Sequence, residues 1–338
     1  MDIVDTFNRP LKDLRISVTD KCNFRCPYCM PKETFGVAYK FLPKEEILTF
    51  EEISRLANIF STLGVTKLRL TGGEPLLRAN ISDLIKMLST ISNITDIAMT
   101  TNAYLLKSQA KLLKDAGLNR ITISLDSLDE EVFGKMNGRG FSVSSVLEGI
   151  EAAKTVELTP IKINCVVQKG VNDHTILELS KYCKSNGYTL RFIEYMDVGN
   201  QNHWNQNEVL SGEDIIHILN QELPIVPIDK NYPGEVANRY KYTDGEGEIG
   251  IICSVTQPFC SQCSRARLST DGKLVTCLFA SGGTDLRDML RTGGTDQQIY
   301  DLISKTWGNR KDRYSEERST FKNDDNQKPK IEMFHIGG

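Results

Sequence analysis

Six of the nine cysteines fall in two short groups, Cys22, Cys26 and Cys29 near the start and Cys260, Cys263 and Cys277 near the end. Clustered thiolates are soft ligands suited to zinc or to iron–sulfur clusters. The first group has the spacing C-x3-C-x2-C. A structural zinc site normally takes four protein ligands, often as two C-x2-C pairs, and this segment supplies three thiols with no histidine nearby. Three thiolates on a 4Fe–4S cube leave one iron without a protein ligand, and that open iron can bind a substrate. The second group also supplies three thiols. It reads either as a zinc ribbon completed by His203, His217, His335 or Cys253, or as a second cluster with the same missing ligand. Arg265 and Arg267 lie beside it. Guanidinium forks pair bidentately with phosphate, so the two arginines suit a polyanionic substrate; as surface residues of a loop they would carry no such role. The isolated Cys165, Cys183 and Cys253 are expected to be small core residues.

Strand-like alternation followed by a turn and a helix-period segment recurs along the first part of the chain. Strands are expected at Leu14–Thr19, Lys67–Thr71, Asp96–Thr101, Arg120–Leu125, Ile161–Val167 and Thr189–Ile193. The clearest helix runs from Thr49 to Leu63, with Thr49 and Glu52 as a capping box and Ile53, Leu56, Ala57, Phe60 and Leu63 as its apolar stripe. Six β-α units predict an α/β fold built as a partial (βα)6 TIM-type barrel. Arg15, Ser17 and Thr19, Arg69 and Thr71, Thr122 and Ser124, and Lys162 and Asn164 alternate with apolar neighbours. With the apolar faces on the helices, these polar faces converge on a basic lumen. Cys22, Cys26 and Cys29 follow the first strand directly, at the barrel end where βα loops build active sites. Near Leu223 the order breaks at Pro224, Pro227, Pro233 and the Asp244–Gly247 turn, dividing the chain into a barrel unit, 1–222, and a C-terminal region, 223–338, with the second cysteine group. A polar stretch, 322–330, precedes the final Gly337-Gly338. There is no internal repeat and no low-complexity tract.

Forty-one Lys and Arg nearly balance 44 Asp and Glu, a net charge of -3, and the basic residues are dispersed. That excludes a nucleic-acid role resting on an overall field and points to a small ligand met by local basic residues. The acidic N-terminus is unlike a signal peptide, and no run of about 18 apolar residues exists. A cytoplasmic protein with no membrane partner and reduced thiols is expected.

The cysteine spacing with an aromatic residue, Tyr28, before the last thiol, and Thr71-Gly72-Gly73-Glu74-Pro75 after the second strand, resemble the radical SAM superfamily. The chain from Arg9 to Asp20, the segment Arg191–Asp197, the second cysteine group with its arginines and the Gly-Gly end narrow the resemblance to the GTP 3′,8-cyclase family of molybdenum cofactor biosynthesis. The resemblance implies two 4Fe–4S clusters, on Cys22, Cys26 and Cys29 and on Cys260, Cys263 and Cys277, the second carried by the C-terminal extension. It implies S-adenosylmethionine (SAM) contacts at Tyr28, Gly73, Ser124 and Met196, and GTP contacts at Arg15, Arg69, Thr100, Lys162, Arg265 and Arg267, of which Arg15, Arg265 and Arg267 serve catalysis. The implied reaction is radical cyclisation of GTP to (8S)-3′,8-cyclo-7,8-dihydroguanosine 5′-triphosphate. Implied partners are an external electron donor, a second copy in a homodimer, and cyclic pyranopterin monophosphate synthase as the next enzyme. No Walker-type phosphate loop occurs. Ala103 stands where the family usually has Gly, and the resemblance gives Gly337 and Gly338 a supporting role in cyclisation. Two other readings share part of these residues: another radical SAM enzyme with an auxiliary cluster, and a non-catalytic metal-binding module.

Overall fold

A computed structural model describes residues 3–318 and 329–337. Residues 319–328, which hold most of the polar stretch expected at 322–330, and Gly338 lie outside the described residues. The six expected strands are present as β1 (Asp13–Ser17), β2 (Lys67–Thr71), β3 (Asp96–Thr101), β4 (Arg120–Ser124), β5 (Ile161–Val167) and β6 (Thr189–Glu194), each parallel to the next. Their alternation works as expected: Leu14, Ile16, Leu68, Leu70, Ile121, Ile123, Ile161 and Ile163 are buried in the core formed with the helices. The helix Phe50–Thr62 starts at Thr49, whose side chain accepts from Glu52 N while Glu52 accepts from Thr49 N.

After residue 223 the chain forms six more strands, β7 (Ile225–Ile228), β8 (Asn238–Tyr242), β9 (Glu248–Ile252), β10 (Arg265–Leu268), β11 (Lys273–Val275) and β12 (Thr284–Asp285). These join the same sheet, in the order β12-β11-β10-β1-β2-β3-β4-β5-β6-β9-β8-β7. The proline-rich sequence breaks the β-α rhythm but not the sheet. β10 runs parallel to β1 and β9 parallel to β6. The barrel is therefore partial and open, and the segment 253–264 between β9 and β10 crosses from the β6 side of the parallel strands to the β1 side with Cys260 and Cys263 on it.

Register sets the lumen chemistry. Arg15 on β1 lies opposite Arg267 on one side and Arg69 on the other, so three arginines form one row across β10, β1 and β2. Like charges directly opposite each other destabilise a sheet, so this row is a cost to folding that an anionic ligand would relieve.

Ala103 is buried with φ +60°. An L-residue held in this left-handed region costs about 1 kcal/mol, which the surrounding core bears. Among the described residues no helix is long and apolar enough to cross a membrane. Cys165, Cys183 and Cys253 are buried core residues, as expected.

Candidate functional site

Two cavities adjoin inside the row of strands: the first opens at their C-terminal ends, and the second reaches down to the start of β10, where Cys263 precedes Arg265. Cys22, Cys26, Cys29, Tyr28, Gly73, Ser124 and Met196 line the first. Cys260, Cys263, Cys277, Arg15, Arg69, Thr100, Arg265 and Arg267 line the second. Thr100, Asn164, Ile193 and Met196 line both, so the two form one hollow. Lys162 lies apart from the cysteines, in a third cavity towards the N-terminal ends of the strands, where Arg15, Arg69, Arg191 and Arg265 also reach.

The first cysteine loop is held by neighbours that carry no thiol. Arg25 donates from Nε to Phe35 O (2.6 Å) and from Nη1 to the carbonyls of Cys22 and Phe24 (both 2.7 Å), tying the loop into a fixed curve. Gly73 donates to Thr19 O (2.7 Å) and Glu74 N to Lys21 O (2.8 Å). A Cβ on Gly73 would collide with the Lys21 backbone. The absence of a Cβ at Gly72 and Gly73 lets this backbone approach the start of the cysteine loop closely. Glu74, almost wholly buried, accepts from Thr101 Oγ1 (2.6 Å), Asn102 N (2.7 Å) and Leu76 N (3.0 Å). Burial pushes its carboxyl up to about 7 against those three donors. Asn102 then donates to Asn23 Oδ1 (2.8 Å) inside the loop. Tyr28 OH donates to Asp126 Oδ2 (2.8 Å), and burial raises the Asp126 carboxyl to about 6.

The second cysteine loop hangs on buried charge. Arg9 donates to Cys260 O (2.8 Å) and Arg310 to Cys263 O (2.7 Å), and both pair with Asp5, at 2.6 and 3.4 Å. Buried groups of this kind are tolerable because each is paired and hydrogen-bonded.

The thiols differ. Burial pushes Cys22 and Cys277 up to about 12 and drives Cys26 and Cys29 upward as well. Burial also acts to raise Cys263, but the positive charges of Arg265 and Arg310 outweigh it and bring the thiol down to about 6. Arg265 Nη2 lies 3.4 Å from its sulfur. Thiolate is the nucleophile, so in the iron-free chain the alkylation rate of Cys263 is expected to level off above about pH 6 while that of Cys22 continues to rise through pH 9. Peptide mass analysis after iodoacetamide treatment reads both, and Arg265→Ala should slow Cys263 labelling at pH 7 by about tenfold.

Positive charge is crowded in the second cavity. Burial, with neighbouring arginines, lowers Arg15 well below its ordinary value and brings Arg191 and Arg267 to about 9; burial and Arg120 bring Arg69 to about 10. Lys162 falls to about 8 through burial and then Arg191. Guanidinium resists losing its proton, so this crowding favours a bound anion. Among the described residues Arg265 Nε is buried without a hydrogen-bond partner, while the side chain lines the second cavity. The Gly337 carbonyl accepts from Arg267 Nη1, and a Cβ on Gly337 would collide with Thr71, so the C-terminal segment reaches the wall between the cavities.

Among the described residues no three His, Cys, Asp or Glu side chains are arranged to hold a single metal ion. Each cysteine group lines a cavity instead, a donor set suited to a bridging cluster larger than one ion. Arg191 was missed as a site residue, although alternation along Thr189–Ile193 puts it on the polar face. Asp126, Arg9 and Arg310 meet Tyr28, Cys260 and Cys263 across 98, 251 and 47 positions of sequence, separations that local patterns do not mark.

Residues 16–183 match the family model of the radical SAM superfamily, and residues 188–316 match that of Molybdenum Cofactor Synthesis C. The chain is 48% identical over 337 residues to a GTP 3′,8-cyclase of Staphylococcus epidermidis, covering 99% of each chain. It is 49% identical over 321 residues to a GTP 3′,8-cyclase of Acidothermus cellulolyticus, covering 94% of this chain and 89% of that one. Among solved structures, Streptococcus suis SuiB bound to precursor peptide SuiA superposes with a TM-score of 0.59 at 16% identity, over 94% of this chain and 69% of that one; at this identity the likeness shows the fold alone. On its full-length similarity to those cyclases and its two family matches, the chain belongs to the GTP 3′,8-cyclase family of the radical SAM superfamily.

Proposed function

We propose that this chain converts GTP to (8S)-3′,8-cyclo-7,8-dihydroguanosine 5′-triphosphate, the first step of molybdenum cofactor biosynthesis, using two 4Fe–4S clusters. Membership of the superfamily implies SAM and one such cluster, for which Cys22, Cys26 and Cys29 are the fitting ligands. The second is assigned to Cys260, Cys263 and Cys277, whose thiols share a cavity with the arginines. When bound, the first cluster and SAM supply a 5′-deoxyadenosyl radical able to take the hydrogen from ribose C3′.

The observation that carries this reading is the in-register row Arg267–Arg15–Arg69 beside Arg265 in a hollow shared with the first cysteine group. Tyr28, Gly73, Ser124 and Met196 are read as the SAM wall. Arg15, Arg69, Thr100, Arg265 and Arg267 hold GTP, with Lys162 at the far end of the arginine field to receive phosphate. Buried guanidinium groups bind a polyanion more strongly than exposed ones, because water does not screen them. Their fixed placement would keep ribose and guanine in the geometry that ring closure needs. The reading includes a barrel unit, 1–222, and an auxiliary-cluster region, 223–338, an external electron donor, a homodimer, a cytoplasmic location and cyclic pyranopterin monophosphate synthase as the next enzyme.

Anaerobic incubation of the reconstituted chain with SAM, GTP and reductant tests it, with mass analysis of the products. The expected products are 5′-deoxyadenosine and cyclised GTP, with about eight irons per chain, four for each cluster. Zinc without iron, or turnover of another substrate in place of GTP, would overturn the reading.

A further inference from the structure

Asp197 follows Met196, a residue of both cavity walls, and is itself buried. Its carboxylate gathers partners from both flanks of 319–328. Arg318 Nη2 lies 2.9 Å from Oδ1, Lys330 Nζ donates to Oδ2 at 3.0 Å, and Tyr314 OH donates to Oδ2. Lys330 Nζ also donates to Asp197 O (3.1 Å) and Tyr314 OH (2.7 Å). Next to this centre, Asn200 N donates to Glu332 Oε1 (2.9 Å). Beyond it the chain enters the hollow. Met333 lines the first cavity, Phe334 packs in a small buried cluster with Met30 and Phe35 beside the first cysteine loop, and Gly337 O meets Arg267.

We propose that Asp197 is a positioning residue for the reaction: it latches residues 329–337 to the barrel rim, which sets Met333 and Gly337 at the first and second cavities. None of the side chains gathered on Asp197 lies in the arginine row, and Asp197 itself lines neither of the two cysteine cavities, so its effect passes through the C-terminal segment. Charge-assisted hydrogen bonds to a buried carboxylate are among the stronger ones in a protein, and removing their acceptor leaves the half-buried cations Lys330 and Arg318 without it. The segment's remaining anchors lie further along it, at the Asn200 N–Glu332 Oε1 bond, the ring contacts of Phe334 with Phe35 and Tyr39 and the Arg267 contact to Gly337 O, so loosening is expected to begin at the Lys330 end.

The inference rests on the function proposed above, and its test has an arm independent of turnover. Hydrogen–deuterium exchange of the chain without substrate, read on peptides covering 329–337, should rise by about tenfold in Asp197→Ala and in Lys330→Ala, while peptides from β1 to β6 stay protected. Asp197→Glu, which keeps the charge, should recover most of the protection. With SAM and GTP, both alanine variants should lose about tenfold in kcat with KM for GTP within about twofold of wild type. Lys330→Ala, on the segment itself, keeps the test decisive if Asp197→Ala fails to fold. Unchanged exchange in the alanine variants, or raised exchange with unchanged kcat, would overturn the inference. If wild type does not turn over GTP, the proposed function fails, and the latch is then judged on exchange alone.

Discussion

Arg267→Ala and Arg265→Ala are each expected to lower GTP cyclisation by about 10²- to 10³-fold while leaving SAM cleavage measurable, because a fixed donor removed from a dry site costs about 3–4 kcal/mol of transition-state stabilisation. The two side chains stand two residues apart on β10 and line the same cavity. Arg267 lies beside Arg15 in register, and its Nη1 also meets the end of the C-terminal segment. Arg265 touches the Cys263 sulfur and carries a buried Nε without a partner among the described residues. Neither lines the first cavity, where Tyr28, Gly73 and Ser124 stand with the first cysteine group. Loss of either guanidinium should therefore separate the two half-reactions. The ratio of 5′-deoxyadenosine to cyclised product, measured by mass analysis under anaerobic conditions, gives the answer; wild-type cyclisation in either variant would remove the role assigned to that arginine. Arg267→Lys is expected to recover only part of the activity, since an ammonium cannot reproduce the two-pronged contact.

Glu194→Ala carries the second large effect, on stability rather than chemistry. Glu194 is fully buried at the end of β6 and accepts from Gly212 N (2.9 Å), Val255 N (2.8 Å), Thr256 N (2.9 Å) and Thr256 Oγ1. One carboxylate thus ties the helix Gly212–Asn220 and the start of the segment carrying Cys260 and Cys263 to the barrel. Its removal leaves the buried Gly212 N and the partly buried donors of Val255 and Thr256 without their acceptor, with an expected loss of about 3 kcal/mol in urea unfolding of the iron-free chain. Glu194→Gln should cost nearly as much, because its amide hydrogens would face donors. A change under about 1 kcal/mol in both variants would show that this carboxylate is not the anchor of the segment. On the proposed two-cluster reading, iron retention should fall preferentially at the second cysteine group, which is the part cut loose.

The chemistry of this chain was legible in unusually local signals. C-x3-C-x2-C places three thiols within eight positions, and the strand that precedes them identifies the end of the barrel on which they sit. Alternation along β1, β2, β4 and β5 marked the lumen face, since a period of two is written into consecutive residues. The same alternation runs along β6 and puts Arg191 on that face. The sequence near Leu223 was harder: prolines and a Gly-rich turn mark an interruption of the β-α rhythm but carry no information on which earlier strand a later one joins.

The sequence by itself determined the cysteine sets, the parallel β-α frame, the capping of its clearest helix and the polarity of the strand faces. These depend on side chains a few positions apart, where spacing and geometry are nearly the same thing. Only the tertiary structure decided that β10 pairs with β1 and β9 with β6, that Arg267, Arg15 and Arg69 form one row, and that Gly337 ends on Arg267. Arg15 and Arg267 are 252 positions apart, and no periodicity links them. Their register is set by the burial of Leu14, Ile16, Ala266 and Leu268 on the opposite face, because a slip of one residue would turn those apolar side chains into the polar lumen.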